Sequence, residues 1–231
     1  MSERKIIIDI VFNTFGFNEQ RYTKEWIDNR IAVFTKFTRS SLENQTNQDF
    51  VTFVRYEDKT KDLVEQALSN HKKLPNNIQF VNKKEYRDRF NEVIQNSKEF
   101  FKVRLDSDDM YHNSFIQQLH DYKPKKGTEI LINQKGYIYD SLEGRLATYY
   151  YKSPPFYTFV YNTEDYLNGT RYKTPGGHAG AIQLKHEILD GSNYMVVVHS
   201  KNNSTKFSSR WRQDMIDDQG KVKNILRSFG V

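Results

Sequence analysis

The sequence of 231 residues contains no cysteine. This absence excludes disulfide bonds, a zinc site with cysteine ligands and a thiol nucleophile. Long hydrophobic runs are absent as well, since the apolar segment from Ile6 to Val11 is interrupted by Asp9. That segment is too short for the core of a signal peptide or for a transmembrane helix. We therefore expect a cytoplasmic protein.

Glycine and proline are scarce, with 11 and 5 residues, and we find no internal repeat and no low-complexity linker. A chain of this length supports one sizeable core, so we predict a single domain over residues 1–231. The net charge of +6 favours an anionic partner. Charge alone does not choose between a nucleotide diphosphate, an acidic glycan, nucleic acid and a membrane surface.

Apolar runs alternate with helical patterns over the first half of the chain. Strands are predicted at residues 6–11, 50–56, 78–81 and 100–105, with amphipathic helices between them. This alternation predicts an α/β fold with a mainly parallel, Rossmann-like sheet. Ligands of such sheets bind where the carboxyl ends of the strands meet.

The second half has a different pattern. Short strands separated by turns are predicted at residues 130–133, 137–140, 146–151, 156–161, 181–184 and 194–199, followed by a helix from about Arg210. We expect a mixed or antiparallel sheet here. The two halves are predicted to meet near residues 110–125.

The stretch Phe101 to His112 joins an apolar strand to three crowded carboxylates, Asp106, Asp108 and Asp109. Neighbouring ionised carboxylates repel one another, so the cluster is most easily explained if a cation neutralises it. A turn that caps the following helix is the alternative explanation. An EF-hand is excluded, because Tyr111 stands at the sixth position counted from Asp106, where that loop has glycine.

His199 ends the last predicted strand, so its imidazole is expected at a strand terminus. A lone histidine in that position is usually a surface residue. Together with Asp106 and Asp108, however, it gives a shell of carboxylate, imidazole, water and phosphate oxygens that suits Mn²⁺ or Mg²⁺.

Three features together resemble a GT-A glycosyltransferase: the alternating first half, Asp106-Ser107-Asp108 as a DxD motif, and the late strand that ends in His199. More narrowly, the segments WIDNRIAVF, RLDSDDMYHNSFI, GYIYDSLEGRL and VVVHSKNNST are similar to the rhamnosyltransferase family, which is related to the family 2 glycosyltransferases. The resemblance implies a donor-binding half at residues 1–112. It also implies an acceptor-binding half with a C-terminal helix at 113–231.

The resemblance further implies a nucleotide-diphosphate sugar donor, with rhamnose as one candidate sugar, and an inverting transfer to a glycan or lipid-linked acceptor. A divalent ion would act as a Lewis acid on the diphosphate. Asp108 is then the leading metal ligand, Asp106 holds the ribose or the metal's water, and His199 is the third protein contact. Arg104 is the favoured residue to offset phosphate charge.

Residues at the ends of the first two predicted strands are candidates for contact with the nucleoside. Phe12, Asn13 and Thr14 end the first strand, and Asp58 ends the second. Ordinary loop structure is an equally good explanation for each of them.

The candidate catalytic base is His178, which stands among the glycines of TPGGHAG. A flexible loop there allows close approach of the acceptor hydroxyl. Asp140, Glu164 and Asp165 are rival candidates.

Acceptor sugars stack on aromatic rings, and Pro154-Pro155-Phe156 is predicted to be the most site-facing part of an aromatic-rich region. The terminal segment from Arg210 to Val231 is predicted to pack on the domain, with contact to the inner face of a membrane as the alternative. No nucleic-acid partner is expected, because no recognised nucleic-acid-binding motif is present. A metal-dependent phosphoryl-transfer enzyme, such as a nuclease or nucleotidyltransferase, remains the alternative function.

Overall fold

A computed structural model describes residues 2–16, 18–202 and 205–231 of the chain. The first half alternates strands and helices as predicted. Its strands are β1 (Ser2–Val11), β2 (Val51–Tyr56), β3 (Ile78–Asn82) and β4 (Ser97–Asp106), and its helices are α1 (Lys24–Phe34), α2 (Ser40–Glu43), α3 (Lys61–Ser69) and α4 (Lys83–Ile94). The strands are parallel and lie in the order β3, β2, β1, β4.

Strand β1 is apolar on both faces because both of its faces are covered. Ile8 belongs to the cluster that contains Ile31 of α1 and Val64 of α3. Ile7 points to the opposite face, where it belongs to the cluster of Phe90 from α4. The helices therefore sandwich the parallel strands, as the sequence predicts.

Helix α1 is capped by Thr23, whose hydroxyl accepts a hydrogen bond of 3.3 Å from the backbone N–H of Trp26. The helical backbone does not stop at Phe34. A π-helical segment, Thr35–Arg39, links α1 directly to α2. Such segments are rare and often occur at functional sites.

The second half contributes β5 (Met110–Tyr111), β6 (Ile130–Asp140), β7 (Arg145–Tyr150), β8 (Tyr157–Asn162), β9 (His186–Val198) and β10 (Arg212–Met215), with helices α5 (Phe115–Asp121), α6 (Thr163–Leu167) and α7 (Gln219–Ser228). Strand β8 is antiparallel to β4 and to the first part of β6, and β7 is antiparallel to the rest of β6. Strand β9 runs parallel to β6. The predicted α/β fold, with a mainly parallel first half and a mixed second half, is confirmed, and the strands of both halves belong to one sheet.

Strand β6 corrects one prediction, because residues 130–133 and 137–140 form a single strand without a turn between them. The strand continues through Gly136, which packs closely against β9. A Cβ atom at this position would lie 2.5 Å from the carbonyl oxygen of Tyr194. Glycine therefore permits the close approach of two backbones here, and it does not mark a turn.

Two further predictions about the second half are wrong. Residues 181–184 are not a strand, since a 3₁₀ helix, His178–Gln183, covers most of them. The helix predicted from Arg210 begins only at Gln219, where the Asp218 carboxylate accepts a hydrogen bond of 2.7 Å from the N–H of Lys221. The residues before it form the edge strand β10, whose four side chains are all exposed.

The terminal helix α7 packs on the domain. Val222 and Phe229 are buried in one cluster with Phe37 of the π-helical segment. Among the residues that the structure describes, the helices are too short or too polar to cross a bilayer.

The chain reverses its direction of winding between β1 and β4. Strands β2 and β3 are added on one side of β1, and β4 on the other. The carboxyl ends of β1 and β4 are in register, with Val11 opposite Asp106. In open α/β sheets this point is where ligands bind.

Candidate functional site

The acidic motif is a tight turn that links β4 to β5. Asp106 is the last residue of β4, and its carbonyl accepts a hydrogen bond of 3.3 Å from the N–H of Asp109. Strand β5 then pairs with β9, with Met110 opposite Met195. This pairing brings His199, just past the end of β9, beside the turn.

Asp108 is held by two cationic or hydrogen-bonding side chains from distant parts of the chain. Its Oδ2 atom accepts a hydrogen bond of 3.0 Å from Nη1 of Arg30 and lies 3.2 Å from Nε2 of His199. Arg30 also donates from Nε to Oγ of Ser107 over 2.8 Å. Burial opposes ionisation of Asp108, but Arg30 and His199 together hold its pKa below the ordinary value.

The tautomer of His199 follows from its neighbours. The backbone N–H of Lys201 donates to Nδ1 of His199 over 3.2 Å, so Nδ1 carries no hydrogen. The neutral ring therefore carries its hydrogen on Nε2 and donates it to Asp108. The backbone of His199 is held as well, because its N–H donates to Oδ1 of Asn202 over 2.5 Å.

The donor atoms at Asp108 and His199 fit a divalent ion as two adjacent ligands. Ligands at right angles around an ion, each about 2.1 Å from it, lie about 3.0 Å apart, and these two atoms are 3.2 Å apart. Over residues 2–16, 18–202 and 205–231, no group of three His, Asp or Glu side chains is arranged to hold a metal. An ion here would therefore take its other ligands from phosphate and water. To receive it, Arg30 must withdraw its hydrogen from Oδ2 of Asp108. His199 must also shift its ring hydrogen from Nε2 to Nδ1, which would break the hydrogen bond from the N–H of Lys201.

Asp109 points away from Asp108 and into the protein. Its Oδ1 accepts a hydrogen bond of 3.0 Å from the N–H of Val197, and its carbonyl accepts one of 2.9 Å from the hydroxyl of Thr38. Thr38 lies in the π-helical segment, so that irregular turn helps to fix the motif. Burial raises the pKa of Asp109 well above its ordinary value, and the charges of Asp108 and Asp106 add to the effect.

A cavity of about 660 Å³ opens beside Asp106 and Asp109. Its other lining residues include Arg104, Tyr149, Tyr151, Pro155, His178, Lys206, Arg210 and Trp211. Arg104 donates to Oδ1 of Asp106 over 2.9 Å and to the carbonyl of Pro155 over 2.6 Å. Desolvation raises the pKa of Asp106 and Arg104 opposes that rise. Arg104, Asp106 and His178 thus line the same cavity, and their roles in binding and catalysis stay predictions.

His178 is exposed and faces this cavity from the glycine-containing loop. The Ser153 hydroxyl donates to its carbonyl over 3.1 Å, and its ring lies edge-on to Tyr151 with centroids 6.2 Å apart. Partial burial, followed by the positive charge of Arg104, lowers the pKa of His178. The imidazole is therefore neutral at neutral pH and able to accept a proton.

The rival bases occupy other places. Asp140 pairs with Arg145 next to it in the β6–β7 hairpin. Glu164 and Asp165 lie in α6, whose Thr163 hydroxyl is 3.3 Å from Ser97 at the start of β4. That is the edge of the sheet opposite to the acidic motif.

The predicted nucleoside contacts lie at the expected edge of the sheet, but the side chains of Phe12 and Asn13 have structural roles. Phe12 is buried and packs edge-to-face with Trp26. Asn13 is fully buried and accepts a hydrogen bond of 2.8 Å from the N–H of Glu57. Thr14 and Asp58 are half-buried. These four residues do not line the cavity beside Asp106, so their contact with a nucleoside stays a prediction.

A second cavity, of about 460 Å³, lies beside Arg30. Trp26, Asn29 and Lys201 also line it. The sequence does not predict a role for Arg30 or the presence of this cavity, because the apolar spacing of helix α1 indicates only which residues pack in the core.

The aromatic surface of the larger cavity differs from the prediction. Phe156 is fully buried and stacks on Tyr194 with ring centroids 3.9 Å apart, so it does not face the site. Tyr151 and Trp211 do face it, stacked 4.2 Å apart at an angle of 23°. The sequence pattern places Trp211 in the terminal helix, so it does not predict that Trp211 faces this cavity.

Comparison with known proteins gives one family and several solved structures. The family model described as Putative rhamnosyl transferase matches residues 18–150. No curated protein matches the chain. S. aureus TarS 1–349 in complex with UDP is similar, with a TM-score of 0.44 and 14% identity over 84% of this chain and 60% of that one. The same fragment in complex with UDP-GlcNAc has a TM-score of 0.46 and 12% identity over 86% of this chain and 60% of that one. An active-site mutant of LgtC has a TM-score of 0.37 and 12% identity over 74% of this chain and 61% of that one. The chain thus spans about three fifths of the TarS fragment.

Proposed function

The chain belongs to the family described as Putative rhamnosyl transferase and is a glycosyltransferase by family; from this premise we propose that it moves a sugar from a nucleotide-diphosphate donor to a glycan or lipid-linked acceptor. Rhamnose is the donor sugar that the family description suggests. Donor binding by residues 1–112, acceptor binding by residues 113–231 and a cytoplasmic location are parts of this proposal.

One observation carries the proposal: at the point where the sheet reverses its winding, the turn Asp106 to Asp109 contacts two cavities. Asp106 and Asp109 line the larger one, and Ser107 and Asp108 bind Arg30, which lines the smaller one. Arg30 and Lys201 line the smaller cavity together with Glu25, so this cavity offers a net positive charge for a diphosphate. The side of Arg104 and His178 offers room for the transferred sugar and the acceptor. The bond to be broken would lie between them, at the acidic turn.

Asp108 and His199 would hold Mn²⁺ or Mg²⁺, with Asp106 binding the ribose or a water of the ion. When bound, the ion stabilises the negative charge that develops on the leaving diphosphate. Asp109 would keep the turn in place through its bond to Val197. Arg104, fixed by Asp106, would direct its charge toward phosphate oxygens.

His178 would take the proton of the acceptor hydroxyl as that oxygen attacks the anomeric carbon. Attack on the face opposite to the diphosphate inverts the configuration of the sugar. The neutral imidazole is the required form of the base, and the lowered pKa of His178 keeps it available. The stacked pair of Tyr151 and Trp211 supports a sugar acceptor, since sugar rings pack on aromatic faces.

The alternative of two-metal phosphoryl transfer has less support. It needs several carboxylates that converge on a pair of ions. In the described part of the chain, Asp106, Asp108 and Asp109 instead point to three different partners.

The experiment that tests the proposal is a calorimetric binding screen of UDP, dTDP, GDP and CMP, each with and without Mn²⁺. We expect one nucleotide to bind in a metal-dependent way and Asp108→Asn to lose this binding. The nucleotide that binds then defines the activated sugars to test for turnover. Failure of every nucleotide, with and without the ion, would refute the proposed donor site.

A further inference from the structure

Arg30 is the arginine that pairs with Asp108 of the acidic motif. Its guanidinium bridges two consecutive residues of the turn, with Nε 2.8 Å from Oγ of Ser107 and Nη1 3.0 Å from Oδ2 of Asp108. Ser107 is fully buried, and the Arg30 side chain is only 20% exposed. The contact is therefore a fixed part of the site and not a loose surface ion pair.

The oxygen that Arg30 occupies is the one that a divalent ion would need. Oδ2 of Asp108 also faces Nε2 of His199, so it is the atom at which the two candidate metal ligands meet. An ion about 2.1 Å from this oxygen and a guanidinium nitrogen 3.0 Å from it would lie close together with charges of the same sign. Both cannot be bound strongly at once.

A cavity beside Arg30 has space for its guanidinium once the group leaves Asp108. The cavity of about 460 Å³ beside Arg30 is lined by Trp26, Asn29 and Lys201, and the guanidinium carbon already lies 5.9 Å from the centre of the Trp26 ring. The charged residues that line this cavity are Arg30, Lys201 and Glu25, so its net charge is positive and favours an anion. A diphosphate bound there would pair with Arg30 as Asp108 becomes free.

We propose that Arg30 is a built-in counter-cation that exchanges with the divalent ion at Asp108. Without nucleotide, Arg30 holds the carboxylate in place and weakens binding of the ion. When a nucleotide diphosphate arrives, Arg30 transfers to its phosphates and the ion takes Oδ2. Arg30 is thus a positioning residue that couples binding of the ion to binding of the donor, and this inference rests on the proposed function.

Titration with Mn²⁺ alone, in the absence of nucleotide, tests the exchange directly. Arg30→Gln removes the competing charge, so we expect its dissociation constant for Mn²⁺ to fall by roughly ten-fold or more relative to the wild type. Ser107→Ala removes only the second anchor of Arg30 and keeps its charge, so a decrease of a few-fold is expected. The matched control is Arg89→Gln, which removes the same charge from an exposed arginine whose partner Glu92 is 4.0 Å away.

Three results would overturn the inference. The first is an unchanged or weaker affinity for Mn²⁺ in Arg30→Gln while Asp108→Asn loses binding. The second is an equal gain in Arg89→Gln, which would show a general effect of net charge. The third is no binding of Mn²⁺ by any variant. A parallel titration with UDP, dTDP, GDP and CMP separates this failure from failure of the proposed function, because the donor site can bind one of these nucleotides even if no exchange takes place. Ser107→Ala keeps the test decisive if Arg30→Gln does not fold.

Discussion

Asp9 offers a sharp test of how the central strands are held together. It lies on β1 between Arg55 of β2 and Lys102 of β4, and its side chain is only 9% exposed. Its carboxylate accepts two hydrogen bonds from Arg55, of 2.6 and 3.2 Å, and lies 2.9 Å from Nζ of Lys102. Burial opposes its ionisation, but Lys102 and Arg55 hold the pKa of Asp9 below the ordinary value.

The substitution Asp9→Asn keeps the shape of the side chain and removes its charge. It leaves two cations beside each other with no anion between them. Removing one partner of a buried ion pair costs about 3–5 kcal/mol, and the exposure of Arg55 and Lys102, 25% and 24%, reduces the expected cost to about 2–4 kcal/mol. We expect this loss in the free energy of unfolding at pH 7.

The loss depends on pH in a definite direction. Because the pKa of Asp9 is lower in the folded state than in the unfolded state, its stabilising effect is complete above the unfolded value of about 4 and disappears as the pH falls through the folded value. The difference between wild type and Asp9→Asn should therefore shrink on acidification.

Urea denaturation of both proteins at pH 7 and pH 3 measures these effects. Asp49→Asn is the control, since Asp49 is 62% exposed and lies 3.8 Å from Lys5, so its loss should stay below about 1 kcal/mol. The reasoning is refuted if the two variants lose the same stability at pH 7, or if the deficit of Asp9→Asn grows at low pH.

Two further predictions concern the site and its frame. His178→Ala should reduce transfer by about 10²–10⁴-fold, while Mn²⁺-dependent nucleotide binding, measured by calorimetry, stays intact. In the wild type, kcat/KM should fall only when the pH drops below the ordinary pKa range of histidine, because the pKa of His178 is lowered. Unchanged turnover in the variant would remove His178 as the base. Gly136→Ala should lower the free energy of unfolding in urea by about 1–3 kcal/mol, because the added Cβ would lie 2.5 Å from the Tyr194 carbonyl oxygen; a loss below about 0.5 kcal/mol would show that β6 and β9 separate easily.

The sequence predicts the parallel half of the fold well because local patterns decide it. A run such as Ile6 to Val11, apolar on both faces, has few alternatives to a buried strand, and the turn after β4 follows from where that strand stops. The acidic residues, His178 and Arg104 could be named in advance for the same reason. Their chemistry and their places at element ends are visible in the residues themselves.

The remaining parts depend on contacts that no local pattern records. Gly136 looks like a turn residue until β9 is packed against it. Strand β10 has four exposed side chains and therefore shows no alternation of apolar and polar residues. In the sequence, Arg30 has the pattern of an ordinary surface charge on α1, because its partner Asp108 is 78 residues away in the chain.

The long sequence separations of the contacts at the acidic turn have a consequence for folding kinetics. Thr38, Val197 and His199 reach the turn across 71, 88 and 91 residues respectively. Each contact stabilises the fold only after a large loop has closed, and this closure costs conformational entropy. Contacts of this kind therefore form slowly. During refolding, helical circular dichroism should therefore recover before the turn is complete. Nucleotide binding would then report the last step of folding, when the two halves of the chain have closed on each other.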